Sequence, residues 1–156
     1  MIENIILNEI NNKFYQINVK DGNSFKNLNI KLENCYIPFG VEEYINKYYL
    51  NFETNNNEEY IKLVRLLEKN LSKLLETTEE YDLKSVFHKK PKYNLLCKCH
   101  IKKNKNCIIS KYIKNNIETS IFELEKKKTY KIELEISGIW IYRKTYGLVI
   151  NILKIF

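Results

Sequence analysis

Apolar residues recur along this chain at two spacings, and the switches between them mark its elements. From Ile2 to about Val19 the pattern predicts one or two strands with a turn near Asn11-Asn12, and Asp21-Gly22-Asn23-Ser24 is a turn cluster. Leu28, Ile30 and Leu32 alternate with Asn29, Lys31 and Glu33, as on a half-buried strand that Pro38-Phe39-Gly40 ends. Lys47 to Phe52 reads as another strand, closed by the break Asn55-Asn56-Asn57. The period then lengthens. Tyr60, Leu63, Val64, Leu67, Leu71, Leu74 and Leu75 share one face of a helix expected over about 57–76. Asn56 with Glu59 has the form of a cap, and Glu58, Glu59 and Lys73 suit the helix dipole. Residues 77–92 read as a connection.

After Pro91 the period returns to two. Leu95, Cys97, Cys99 and Ile101 face one way, and Leu96, Lys98, His100 and Lys102 the other. A turn in 103–106 leads to a return strand from Cys107 to about Lys114. A long strand follows from Thr129, with Tyr130, Ile132, Leu134, Ile136 and Gly138 opposite Lys131, Glu133, Glu135 and Ser137. Trp140-Ile141-Tyr142, a turn at Arg143-Lys144-Thr145, and a last strand from Tyr146 to about Ile155 complete the pattern. The expectation is one mainly β domain over residues 1–156 with one inserted helix.

Charge changes this picture at one place. Residues 83–117 hold ten lysines and no acid, whereas the formal charge of the whole 156-residue chain is +7, so the remainder is net negative. Such clustering is the footprint of a protein that meets a polyanion. Composition tempers the lysine count, because the chain lacks alanine, has arginine only at 65 and 143, and is rich in the Asn, Ile and Lys of AT-rich codons. Codon bias does not, however, exclude acids from one segment. No basic leader and no apolar run of membrane length is present, so a reduced, intracellular, soluble chain is expected.

Chemistry other than charge is sparse. Cys97-x-Cys99-His100 with Cys107 lacks the knuckle spacing of zinc sites, and strand alternation puts both cysteines in the core. Cys99 and His100 face opposite sides and form no dyad. No Gly-rich phosphate loop occurs. No catalytic residue, metal or cofactor is therefore expected. The basic face is different, because aromatics stand at its ends. Lysines neutralise phosphates while rings stack bases, which are the parts of a single-strand binder. The expected phosphate contacts are Lys89, Lys90, Lys92, Lys98, Lys102, Lys103, Lys105 and Lys111, with His100 on the same face. Trp140, Tyr142 and Tyr146 are the expected stacking residues, with Arg143 and Lys144 closing the groove. The alternatives are a merely solvated sheet face, a core Tyr146 and a partly buried Trp140.

The order of these elements resembles a known family. A strand into one helix, a basic strand, a return strand, then Thr129-Tyr-Lys-Ile-Glu-Leu-Glu-Ile-Ser-Gly-Ile-Trp140, a turn and Tyr146-Gly147 is similar to the OB-fold single-stranded-DNA-binding proteins of T7-like phages and of large nucleo-cytoplasmic DNA viruses. The resemblance implies a small β-barrel that holds single-stranded DNA in a groove during viral replication, recombination or repair. The phage proteins recruit replication partners through an acidic tail ending in an aromatic. Here the last acid is Glu135, so such partners are not implied by the tail. An RNA-binding OB-fold protein and a protein–protein adaptor of a viral complex remain the alternative readings.

Overall fold

The first strands form as the alternation requires. In the computed structural model, which describes residues 4–74 and 81–156, β1 (Ile5–Asn11) and β2 (Phe14–Asp21) make an antiparallel hairpin. Gly22, at φ 62°, turns β2 into the short β3 (Ser24–Lys26). Next come β4 (Leu28–Ile37), β5 (Val41–Tyr44) and β6 (Lys47–Glu53), then helix α1 (Glu58–Leu74). After it lie β7 (Asp82–Leu83), β8 (Phe87–His88), β9 (Leu96–Ile101), and a small hairpin of β10 (Lys103–Asn104) and β11 (Cys107–Ile108). The chain ends in β12 (Lys111–Lys114), β13 (Ile117–Thr119), a 3-10 turn at Ile121–Glu123, and the long pair β14 (Lys128–Tyr142) and β15 (Thr145–Ile155). The fold is mainly β with one helix among the described residues.

β14 organises the sheet. One edge pairs with β4 and then β2, and the other with β15. β4 touches β6 through the single pair Tyr36–Glu53, β6 pairs with β9 over five residues, and β9 meets β15 in parallel at His100–Asn151 and Ile101–Ile152. The pairings thus run β14–β4–β6–β9–β15 and return to β14. Leu50, Phe52, Cys97, Cys99, Ile132, Leu134, Ile136, Leu148, Ile150 and Ile152 of these strands are buried in the core. Tyr60, Val64, Leu67 and Leu71 of α1 are buried with them. Tyr60 lies across Phe52 and Phe87, with its hydroxyl 3.3 Å from Cys97 Sγ. Burial is the main cause that raises the pKa of the Tyr60 phenol and of the Cys99 thiol well above their ordinary values. Buried Glu68 ties the helix to the next segment by accepting from Ser85 Oγ at 2.8 Å and Val86 N at 3.0 Å.

Bulges shift the expected alternation. On β4, Glu33 and Asn34 together oppose Lys131, with Asn34 at φ 52°, so the buried set passes from Leu28 and Leu32 to Cys35 and Ile37. An extra residue at Ser137 does the same on β14. Ile139, not Gly138, therefore continues the core side, and Gly138, Trp140 and Tyr142 face outward. Gly138 packs beneath the Phe14 ring and beside the Tyr15 carbonyl, where a Cβ would lie 2.4 and 2.3 Å from them.

Two further expectations are corrected. The helix begins after Asn57, whose carbonyl accepts Ile61 N, so Asn57 and not Asn56 occupies the cap position. Both carboxamides bond to carbonyls of the β4 bulge, Asn56 to Asn34 and Asn57 to Glu33, because the bulge leaves those acceptors unpaired. The return strand from Cys107 is interrupted at Ile109-Ser110. Ser110 Oγ accepts Lys102 N at 2.7 Å and donates to Ile152 O at 2.5 Å, which redirects the chain from β10 to parallel pairing with β15. The proposed core position of Leu75 and the Thr77–Glu80 part of the connection lie outside the described residues.

Candidate nucleic-acid interface

Paired residues on neighbouring strands share a face, and this places the outer surface of β6, β9 and β15. Ile152 and Leu50 point inward, so the row Glu42–Tyr49–His100–Asn151 points out. Lys98 lies on the same side of β9, its ammonium 4.0 Å from the Tyr49 ring centroid, a cation–π contact. The His100 ring is tilted against the same Tyr49 ring, with centroids 4.9 Å apart. Further along β15 on this face, Gly147 pairs with Trp140, whose indole covers it. Gly147 and Asn151 are four residues apart, ~13 Å of strand. The Lys84 carbonyl abuts Gly147 as well, because Lys84 N donates to Tyr146 O at 2.8 Å. One surface thus carries Trp140, Lys84, Lys98, Tyr49 and His100.

The electrostatics of this surface are unusual. Burial lowers the pKa of Lys98, and Lys84 and Lys90 lower it further, with Glu42 opposing. Burial also lowers His88, followed by Lys90 and Lys98. His100 is pushed down to about 4 by burial and by Lys47 and Lys98, so at neutral pH it offers a neutral ring and not a cation. Lys84, Lys90 and Lys98 are all exposed, the first two each repel the Lys98 ammonium, and an anion placed beside Lys98 relieves that repulsion. Glu42 is engaged sideways, accepting from Asn51 Nδ2 at 2.7 Å, while Asn51 Oδ1 is buried without a partner.

The other expected contacts divide. Tyr142 is exposed with Arg143 stacked over its ring at 5.2 Å, and Lys144 sits in the same turn, its carbonyl accepting Asp82 N. Tyr146 is misplaced by the sequence reading: it pairs with Ile141 on the core side, is 6% exposed and packs edge-on against Tyr81. Strand alternation on β15 forces this, since Leu148, Ile150 and Ile152 share its phase. Lys102 pairs with buried Glu135 at 3.5 Å, so its charge is already met within the fold, whereas Lys111 lies 3.7 Å from Glu118 in an exposed, solvent-screened pair. Lys89 donates to the Tyr93 carbonyl and Lys90 covers the Phe39 ring at 4.6 Å, while Lys92 projects from the same loop at φ 72°. Lys103 and Lys105 belong to the β10–β11 hairpin, away from this face.

Tyr49, Lys84 and Phe39 were not singled out from the sequence. A signal existed for the first: with Leu50 and Phe52 of opposite phase, one tyrosine of Tyr48-Tyr49 has to face outward with Asn51. Cys97 and Cys99 lie on the core face as the alternation requires, Cys35 joins them, and Cys107 is exposed, so the four thiols do not converge with His100. A groove of about 1250 Å³ lies elsewhere, between β4 and α1, floored by Leu28, Leu32 and Leu63 and rimmed by Lys31, Lys62, Glu58 and Glu59. Among the described residues, no helix is long and apolar enough to cross a membrane. The chain matches no protein-family model and no curated protein sequence.

Proposed function

We propose that this protein binds single-stranded nucleic acid, with DNA as the preferred form, on the outer face of β6, β9 and the β14–β15 hairpin, and that it does so without catalysis. The observation that carries the reading is Lys98, seated on the Tyr49 ring and crowded by Lys84 and Lys90 on the surface that also presents Trp140. Phosphates meet the lysines, and bases stack on Tyr49, Trp140 and Tyr142, an arrangement indifferent to sequence. The circuit β14–β4–β6–β9–β15, with its parallel β9–β15 contact, supports an OB-like barrel. In such barrels the second and third strands and the last hairpin form the oligonucleotide surface, here β6, β9 and β14–β15. The reading extends to a role in replication, recombination or repair, as the resemblance to phage and viral proteins implies. The apolar-floored groove beside α1 favours an adaptor role as the second reading.

The test is anisotropy of a labelled oligo-dT against its duplex and against the matched RNA, with Trp140 emission followed in parallel. Preferential, salt-sensitive binding of the single strand that weakens in Tyr49→Ala and Lys98→Ala supports the proposal. Equal affinity for duplex, or no binding at low salt, refutes it.

A further inference from the structure

A second concavity, of about 460 Å³, opens where the β5–β6 turn meets the β10–β11 hairpin. Its walls are Asn46, Tyr48, Lys103, Asn106, Ile108 and Phe122, with no acid among them. We infer that this pocket binds a single nucleotide, its base against Phe122, its edge on the Asn46 and Asn106 carboxamides and its phosphate on Lys103. Pockets of this size suit ligands of that class.

The walls are placed firmly. Phe122 is 52% exposed, yet its turn is pinned by buried Ile121, by Ser120 Oγ accepting Phe122 N at 3.3 Å and by Glu123 N donating to Ser120 O at 3.0 Å. Its ring stands edge-to-face with Tyr48 at 4.9 Å. The opposite wall holds a backbone oddity. Ile45 and Asn46 lie at φ 49° and 58°, and Ile45 is 74% exposed. A β-branched residue rarely adopts that conformation, and such outliers persist where the surroundings hold them. Here Lys103 Nζ donates to Asn46 O at 2.7 Å and fixes the turn over the pocket.

The unused chemistry identifies the ligand. Among the described residues, neither the Asn46 nor the Asn106 carboxamide has a hydrogen-bond partner, so each offers a donor and an acceptor. A nucleobase edge complements that pair, and bidentate Asn suits adenine best. Lys103 spends one N–H on Asn46 O, which leaves two for a phosphate oxygen. Tyr48 faces the opposite side of β6 from Tyr49, so the pocket is distinct from the Trp140 surface, and either can fail without the other.

The experiment uses the full chain carrying Trp140→Phe and Phe122→Trp, so that the only indole reports on the pocket. Titration with dAMP should quench it saturably and more tightly than dTMP, while inorganic phosphate alone should leave it unchanged. Asn106→Ala in that background should weaken dAMP by about tenfold, within the range of one bidentate base contact, with thermal unfolding unchanged. In the wild-type protein, the side-chain amide NMR signals of Asn46 and Asn106 should shift with the same saturation. Quenching by dAMP alone assigns a free nucleotide; quenching by oligo-dA as well, with the same Asn106 dependence, assigns one residue of a bound strand. Absence of amide shifts at millimolar dAMP and oligo-dA, or quenching indifferent to Asn106→Ala, overturns the inference. Absence of oligo-dT binding by the wild-type protein at low salt refutes the proposed function and leaves this inference standing.

Discussion

Gly147→Ala tests how Trp140 is held. A Cβ built on Gly147 would sit 2.7 Å from the Lys84 carbonyl oxygen and 2.8 and 3.0 Å from Trp140 Nε1 and Cε2. Side-chain carbons do not tolerate such approaches, so something has to move. The Lys84 backbone resists, because β7 is clipped to β15 by Lys84 N to Tyr146 O and Asp82 N to Lys144 O, at 2.8 and 2.7 Å. The indole, half-exposed on the outer face, is the part that can swing away. Overpacking of this kind costs ~1–3 kcal/mol. Replacing glycine on an extended strand returns ~0.4–1 kcal/mol by restricting the unfolded chain. From the middle of each range the expected net loss is ~1.3 kcal/mol, which for a chain of this length lowers Tm by roughly 3–5 °C. The assay is thermal unfolding together with Trp140 emission, read in a double-mutant cycle with Trp140→Ala. Removing the indole relieves its share of the clash, so the two substitutions together should cost less than their sum. Unchanged Tm and emission in Gly147→Ala would show that the indole does not rest on Gly147, and the proposed surface would lose its stacking platform.

Three other outcomes follow from the same geometry. If three to five unpaired lysines meet phosphates, log K for oligo-dT should fall against log salt with a slope of about −2 to −3.5, and Lys84, Lys90 and Lys98 changed together to Ala should remove about 2 of it; an unaltered slope places the phosphates elsewhere. Ser110→Ala strands the Lys102 amide and the Ile152 carbonyl in the core and should cost ~2–4 kcal/mol in urea unfolding, whereas a cost below ~1 kcal/mol means those groups find other partners. His100 has a folded pKa of about 4 against 6.5 unfolded, so the unfolded chain binds the extra proton first. Stability contributed by the neutral ring is complete above pH 6.5 and lost as pH falls toward 4, by at most ~3 kcal/mol. Comparison with His100→Gln isolates this from carboxylate titration, and parallel pH profiles for the two proteins would refute it.

Much of the framework could be read from residue order. Period-two runs located β4, β6, β9, β14 and β15, and the apolar stripe from Tyr60 to Leu71 located the helix, because burial on one face imposes its period on the sequence. The short strands β5, β7, β8 and β13 escaped, since two to four residues carry too little pattern to distinguish strand from loop. The acid-free lysine run took in Lys98, Lys102 and Lys111 alike and could not separate the lysine without a carboxylate partner among the described residues from the two that have one. Their partners Glu135 and Glu118 are distant in sequence or brought close only by strand pairing.

The sequence by itself determined the periods, the helix after Asn57, the core cysteines and the lysine cluster, because these depend on residue type at local spacing. Tertiary structure decided which way each aromatic faces. A bulge at Ser137 shifts the phase of β14 and sends Trp140 outward, whereas alternation on β15, unbroken from Tyr146 to Ile152, sends Tyr146 into the core. One inserted residue reverses every side chain after it, and pairing with a neighbouring strand, not local pattern, fixes where it is inserted. The meeting of Tyr49, Lys84, Lys98 and Trp140 depends likewise on β15 serving as the common neighbour of β7, β9 and β14. Contacts between strands so far apart in the chain are set by which strands pair in the sheet, which no local spacing records.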